Sequence, residues 1–142
     1  MSKKQIPSSD YLYPQPVVLI GAKVDNEPNF TTVSWVGIAS ESPPMISIAL
    51  RHERYSLKGI RQNNVCSVNI PSAELVKETD YCGIVSGAKA NKAEACHFNI
   101  FYGGSDAVPM IERCPVNLEC KAVQFLNLGS HSLLIVEIEN TY

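Results

Sequence analysis

Two arginines and a serine open the chemical reading of this chain. In Arg51-His52-Glu53-Arg54-Tyr55-Ser56 the guanidinium groups follow an apolar run and precede a helical pattern. With Ser56 they can converge on an anion near a helix N-terminus, phosphate being the natural one. The plain alternative is a solvated charged turn in which Glu53 pairs with an arginine. Upstream, Asn29-Phe30-Thr31-Thr32-Val33-Ser34-Trp35 sets an amide and several hydroxyls beside the chain's only tryptophan, although the same composition suits an ordinary strand. Downstream, Thr79-Asp80-Tyr81-Cys82-Gly83-Ile84-Val85-Ser86-Gly87, followed by Lys92, supplies glycines for close backbone approach, a hydroxyl and a flexible cation. It reads equally as a helix end and a surface loop. Gly129-Ser130-His131 lies where a hairpin must turn. His131, titrating near neutrality, can face a redox ring or a nicotinamide, or be a turn residue alone.

Other chemistries lack their residues. No Gly-x-Ser-x-Gly elbow is present and Cys82 has no identifiable base partner, so a nucleophilic triad is not indicated. Neither a Walker loop nor Gly-x-Gly-x-x-Gly occurs, so a nicotinamide cofactor, if used, is not held by a Rossmann domain. The five cysteines form an odd set without a Cys-x-x-Cys pair or a histidine at zinc-ligand spacing. That pattern implies no metal and a reducing cytoplasm. Cys66 and Cys120 lie inside strand-like runs and read as small buried apolar residues.

The elements that must position these groups read mainly as strands. Pro16 to Val24 is β-branched and apolar and stops at the turn formers Asp25-Asn26-Glu27-Pro28. Asn29 to Ala39 reads as one extended run closed by Glu41-Ser42-Pro43-Pro44, and Met45 to Leu50 follows. Ser56 is a helix N-cap candidate for a short helix to Gln62, ahead of a strand from Val65 to Ile70. A second helical stretch starts at Pro71-Ser72 and runs to Asp80, with Gly83 and Gly87 ending regular structure. Ala88 to Pro109 has no sustained period and reads as loop with one helical turn at most. From Val116 to Ala122 apolar and polar residues alternate as in a strand wet on one face, and Ser132 to Glu139 behaves alike.

Strands with short turns and two or three short helices, without a strand-helix-strand rhythm, predict an antiparallel β-barrel of Greek-key type. With 142 residues, 45% hydrophobic and 18% charged, one domain spanning 1–142 is expected, residues 1–12 forming an N-terminal extension. A net charge of −2 lacks the basic footprint of a nucleic-acid partner. The N-terminus has no secretory h-region and no apolar run suffices to span a bilayer, so a soluble cytoplasmic protein is expected.

Taken in order, Pro16-Val17-Val18-Leu19, Asn29 through Trp35, Ser42-Pro43-Pro44-Met45, Arg51 with Arg54-Tyr55-Ser56, Thr79 through Gly83 with Ser86-Gly87, Pro115 through Cys120, and Gly129-Ser130-His131 resemble the FMN-binding split barrel of flavin reductase-like proteins. The Asp-Tyr-Cys-Gly-x-x-Ser-Gly stretch is nearest to flavoredoxins. The resemblance implies an FMN phosphate clamped by Thr31, Thr32, Ser34, Arg51, Ser56, Ser86 and Lys92. It puts the isoalloxazine near Trp35 and the Cys82-Gly83 backbone, with Asn29, Val33, Arg54, Tyr55 and Gly87 completing the binding set. Cys82 and His131 are its ring-proximal candidates, with no catalytic acid or base assigned. It further implies a homodimer with flavin near the interface. The chain departs from the family in having Asn91-Lys92-Ala93 where Asp-Lys-Phe is usual, and Ser130 where Asp or Thr precedes the histidine. Relatives also commonly extend beyond the position of Tyr142.

The implied activity is an FMN-dependent oxidoreductase taking electrons from NAD(P)H or a reduced partner and passing them to flavin, iron or a protein acceptor. The alternatives are a non-enzymatic FMN electron carrier and a ligand-binding barrel without turnover.

Overall fold

The structure is a computed structural model describing residues 1–142. Strand β1 (Val18–Val24) is apolar enough to be buried along nearly its whole length. It turns at Asp25 and Asn26, whose φ values of 51° and 70° lie in the left-handed region that these two residue types tolerate. Strand β2 (Glu27–Val33) returns antiparallel, with Val24 opposite Glu27. Pro28 falls within β2 rather than in the turn, which is permitted because β2 is an edge strand and needs no amide donor on its free side.

The run Asn29 to Ala39 is two strands, not one. β2 ends at Val33 and β3 (Val36–Glu41) begins after Ser34 and Trp35. The reason is topological. β2 pairs with β1, whereas β3 pairs with β4 (Pro44–Arg51) at the far end of the same sheet. Ser34 and Trp35 therefore carry the chain from one edge to the other, and Trp35 O accepts a hydrogen bond from Ala49 N at 2.9 Å.

Helix α1 (Tyr55–Asn63) follows β4. Its N-cap is Arg54, with no capping side chain, so Ser56 is not the cap but a buried first-turn residue accepting from Asn29 Nδ2 at 2.5 Å. A β-carbon at Gly59 would overlap the Lys23 carbonyl, so the bare glycine lets α1 sit directly on β1. Strand β5 (Val65–Ile70) precedes a 3₁₀ turn that runs into α2 (Val76–Ile84). The helix passes through Gly83 and stops at Val85. The segment from Ala88 to Pro109 contains more order than its sequence suggests: α3 (Lys92–Ala95), capped by the Asn91 side chain, and β6 (Ile100–Phe101), which pairs with β7 (Met110–Ile111).

The last two strands, β8 (Val116–Asn127) and β9 (His131–Thr141), form a hairpin longer than either predicted run. Two register shifts in β8 interrupt the alternation that would have revealed its length. The expected wet face is also wrong for its first half, since Asn117 and Glu119 are buried. Their polar atoms are satisfied internally. Asn117 Nδ2 donates to Asn69 Oδ1 at 2.7 Å, and Glu119 Oε2 accepts from Gly104 N and Asn140 Nδ2, each at 3.0 Å.

The seven main strands are ordered β2-β1-β5-β8-β9-β4-β3, all antiparallel, and no ladder joins β2 to β3. This is the predicted mainly-β split barrel. One core fills the barrel around Ile20, Ile48, Ile60 and Leu134, and includes Cys66 and Cys120 as expected. A second core outside β1 and β2 packs Leu19, Phe30, Leu75, Cys82 and Cys96 beneath α2 and α3. No helix is long and apolar enough to cross a membrane.

Candidate functional site

The end of β4, the start of α1, the middle of β2 and the loop after α2 meet at one end of the barrel. They enclose a cavity of about 700 Å³ whose walls carry Asn29, Thr31, Arg54, Ser56, Ser86 and Lys92. A smaller cleft of about 230 Å³ adjoins it and is lined by Thr32, Val33, Ser34, Trp35 and His131. Arg51 and Arg54 line both. Tyr55, Gly83 and Gly87 complete the larger wall, so the residues nominated from sequence share one compound site, with the Cys82 side chain as the exception.

Cys82 is fully buried with its sulfur 4.0 Å from that of Cys96, away from the cleft. Helical phase explains this, because Leu75, Thr79 and Cys82 fall on the buried side of α2. Burial pushes the Cys82 thiol up to about 12. Only its backbone serves the site: the Cys82 carbonyl accepts from Lys92 Nζ at 3.0 Å, and the next carbonyl, Gly83 O, accepts from Arg54 Nη1 at 2.9 Å. Thr32 Oγ1 donates to Thr79 O, tying β2 to α2.

The larger cavity is built for an anion. Lys92 is 2% exposed, its pKa is lowered chiefly by burial, and it contacts no carboxylate. A buried ammonium without a counter-charge is costly, and an incoming anion relieves that cost. Glu53 is the one carboxylate in the wall; it lies 3.8 Å from Arg51, both side chains well exposed, so the charged-turn reading holds for that weak pair and leaves Arg54 free of it. Thr31 Oγ1 is buried without any hydrogen-bond partner, an unmet donor in the cavity wall. A β-carbon at Gly87 would overlap Asn29 Oδ1 and crowd the Tyr55 ring, so only glycine lets this loop close over β2.

In the smaller cleft Trp35 and His131 stack with centroids 4.5 Å apart and planes inclined by 27°. His131 Nδ1 and Ser130 Oγ share a hydrogen bond of 2.6 Å. Burial and then the Arg51 charge lower the His131 pKa below its ordinary value, favouring neutral imidazole at pH 7. The hairpin carrying it is held by His52, whose Nε2 donates to Leu128 O at 2.9 Å. Sequence reading missed His52 as a positioning group and Lys89 as a further cation in the larger cavity. The signal for Lys89 was its place two residues past Gly87.

The model of the flavin reductase like domain family matches residues 10–142. A protein of Archaeoglobus fulgidus is 36% identical over 129 residues, covering 91% of this chain and 72% of that protein. Among solved structures, flavoredoxin from Methanosarcina acetivorans is similar over 100% of this chain and 75% of its own, with a TM-score of 0.95 and 37% identity. Flavoredoxin of Desulfovibrio vulgaris (Miyazaki F) is similar over 99% of this chain and 76% of its own, with a TM-score of 0.90 and 28% identity.

Proposed function

Because this chain belongs to the flavin reductase-like domain family, we propose that it is an FMN-dependent oxidoreductase of the flavoredoxin type. Electrons come from NAD(P)H or a reduced partner and leave to flavin, iron or a protein acceptor. The observation that carries this reading is the pairing, in one cavity wall, of a buried lysine lacking a counter-charge with the orphaned Thr31 hydroxyl. Both needs are met by one phosphate.

The residues fit FMN. Arg51, Arg54 and Lys92 supply cationic donors, while Thr31, Ser56 and Ser86 supply hydroxyls at the phosphate end. The ring end falls to Val33, Trp35 and His131, with the Gly83 backbone in the adjoining wall, and neutral imidazole stacked on indole forms a flat, weakly polar surface there. Thr32 and Ser34, expected at the phosphate, line this smaller cleft instead, with Thr32 Oγ1 already donating to Thr79 O. FMN itself supplies the electron-transfer chemistry when bound, and the protein orients and shields it. A homodimer belongs to the same reading, supported by edge strand β3, where Ile38 is 82% exposed.

The test is to add FMN to purified protein, remove free flavin, and follow the flavin band at about 450 nm under anaerobic NADH, with the solution mass measured on the same sample. Retained flavin that bleaches supports the reductase. Retained flavin bleached only by a reduced protein partner identifies an electron carrier. Loss of all flavin on desalting overturns both.

A single substitution probes the carrying observation. Thr31→Val removes a buried hydroxyl that nothing satisfies, so the FMN-free protein should be unchanged or about 1 kcal/mol more stable. FMN affinity should fall about 10-fold as the phosphate loses a donor. Unfolding midpoints and a fluorescence titration read the two effects separately, and a variant with undiminished affinity would remove Thr31 from the phosphate site.

A further inference from the structure

The proposed activity leaves unused a pair of thiols fastened to the cavity wall. Cys82 lies in the last turn of α2 and Cys96 follows α3 directly. They are 0% and 6% exposed, with sulfurs 4.0 Å apart. A disulfide holds its sulfurs about 2.05 Å apart, so closure needs an approach of roughly 2 Å. The element that would move is slight, since α3 has four residues capped by Asn91. Cys82 is also coupled to the cavity through the Lys92 contact with its own carbonyl and the Arg54 contact with the carbonyl after it.

We propose that Cys82 and Cys96 are a dithiol that hydrogen peroxide oxidises to an intramolecular disulfide, and that this closure draws α3 onto α2 and disturbs the anion cavity. Peroxide is suited to the task, being small and uncharged enough to reach sulfurs inside a core. Cys96, the less buried of the two, attacks a peroxide oxygen as thiolate. The O–O bond breaks, Cys96 becomes a sulfenic acid, and the departing hydroxide takes up a proton to become water. The Cys82 sulfur then attacks the Cys96 sulfur, the S–O bond breaks, the S–S bond forms, and a second water leaves. Two thiols and one peroxide thus yield one disulfide and two waters. Burial, reinforced by the Glu78 carboxylate, raises both thiols, and the neighbouring Lys92 ammonium opposes this. Oxidation is accordingly slow at neutral pH and quickens as pH rises. The disulfide stands on the sulfur geometry alone, whereas its effect on the cavity rests on the FMN reading.

The test treats the native full-length protein with hydrogen peroxide, alkylates it without reduction and maps its peptides by mass. The expected result is a Cys82–Cys96 linked peptide, two hydrogens lighter than the reduced pair, reversed by dithiothreitol and absent from Cys96→Ser and Cys96→Ala. Oxidation should weaken FMN binding about 10-fold in the unmodified sequence and leave both variants unaffected. Five outcomes overturn the proposed pair: an unreacted protein, sulfinic acid without a link, a link through Cys114, a Cys66–Cys120 link in its place, or formation only after unfolding. A linked protein with unchanged FMN affinity overturns the coupling. If neither form binds FMN, the proposed function fails while the linked peptide still establishes the dithiol.

Discussion

Lys92→Met should weaken FMN binding by about 100-fold, the cost of removing one partner from a buried charge pair. Lys92 is almost fully buried and its ammonium is within hydrogen-bond reach of the Cys82 carbonyl, with no carboxylate to compensate it. In the FMN-free protein the same ammonium is a burden, because charge has been taken out of water for a single neutral acceptor. Methionine has a similar length and no desolvation penalty, so the FMN-free variant should unfold at the same or a higher denaturant concentration. A titration and an unfolding curve should therefore move in opposite directions. A variant that lost affinity and stability together would assign Lys92 a structural role, with the Cys82 contact as its purpose. Riboflavin, which has no phosphate, supplies a further check: its weaker binding should be nearly insensitive to the substitution.

Phe30→Ala should cost about 3–5 kcal/mol of folding stability. Phe30 is fully buried in the outer core, where its ring meets that of Phe98 edge-on at a centroid distance of 5.6 Å and an interplanar angle of 82°. It belongs to β2, whose next residues on either side, Asn29 and Thr31, line the larger cavity. Truncation would leave a cavity between β2 and the segment after α3, a large loss against the 5–15 kcal/mol that holds a typical domain folded. Urea unfolding measures the effect, and a loss below about 1 kcal/mol would mean that the outer core collapses around the gap instead of keeping it open.

Much of the candidate site was legible because its residues are out of character for their surroundings. Arg51, Arg54 and Ser56 interrupt a boundary between strand and helix, and Gly83 and Gly87 bracket a hydroxyl near a lysine, patterns that structure alone does not require. The break at Ser34-Trp35 was hidden because β2 and β3 are both strand-like, and only the order of strands in the sheet sends them to opposite edges. Strands β6 and β7 escaped notice for a related reason. They are two residues each and exist because Asn69 and Asn117 reach across from β5 and β8, with Asn69 Oδ1 accepting from Ile111 N at 3.0 Å. Partners so distant in sequence leave no local period. The burial of Glu119 is another such case, since alternation places a side chain on a face without saying whether something covers that face. The Cys82 error was avoidable, as the spacing of Leu75, Thr79 and Cys82 already carries the helical phase that turns the thiol inward.

The β4–β9 ladder sets Arg51 directly opposite His131, and these two residues, far apart in sequence, both border the smaller cleft. Nothing local can bring them together. The β1–β2 and β3–β4 hairpins and α1 can form early from near neighbours, but the β4–β9 ladder must wait until β9 has folded back along β8. A refolding intermediate with only its local hairpins in place would thus have Thr31 and Ser56 without the His131 wall. On the function proposed above, FMN retention during refolding would then report closure of the longest-range pairing in the sheet, and the cofactor would be received by a finished barrel instead of one assembled around it.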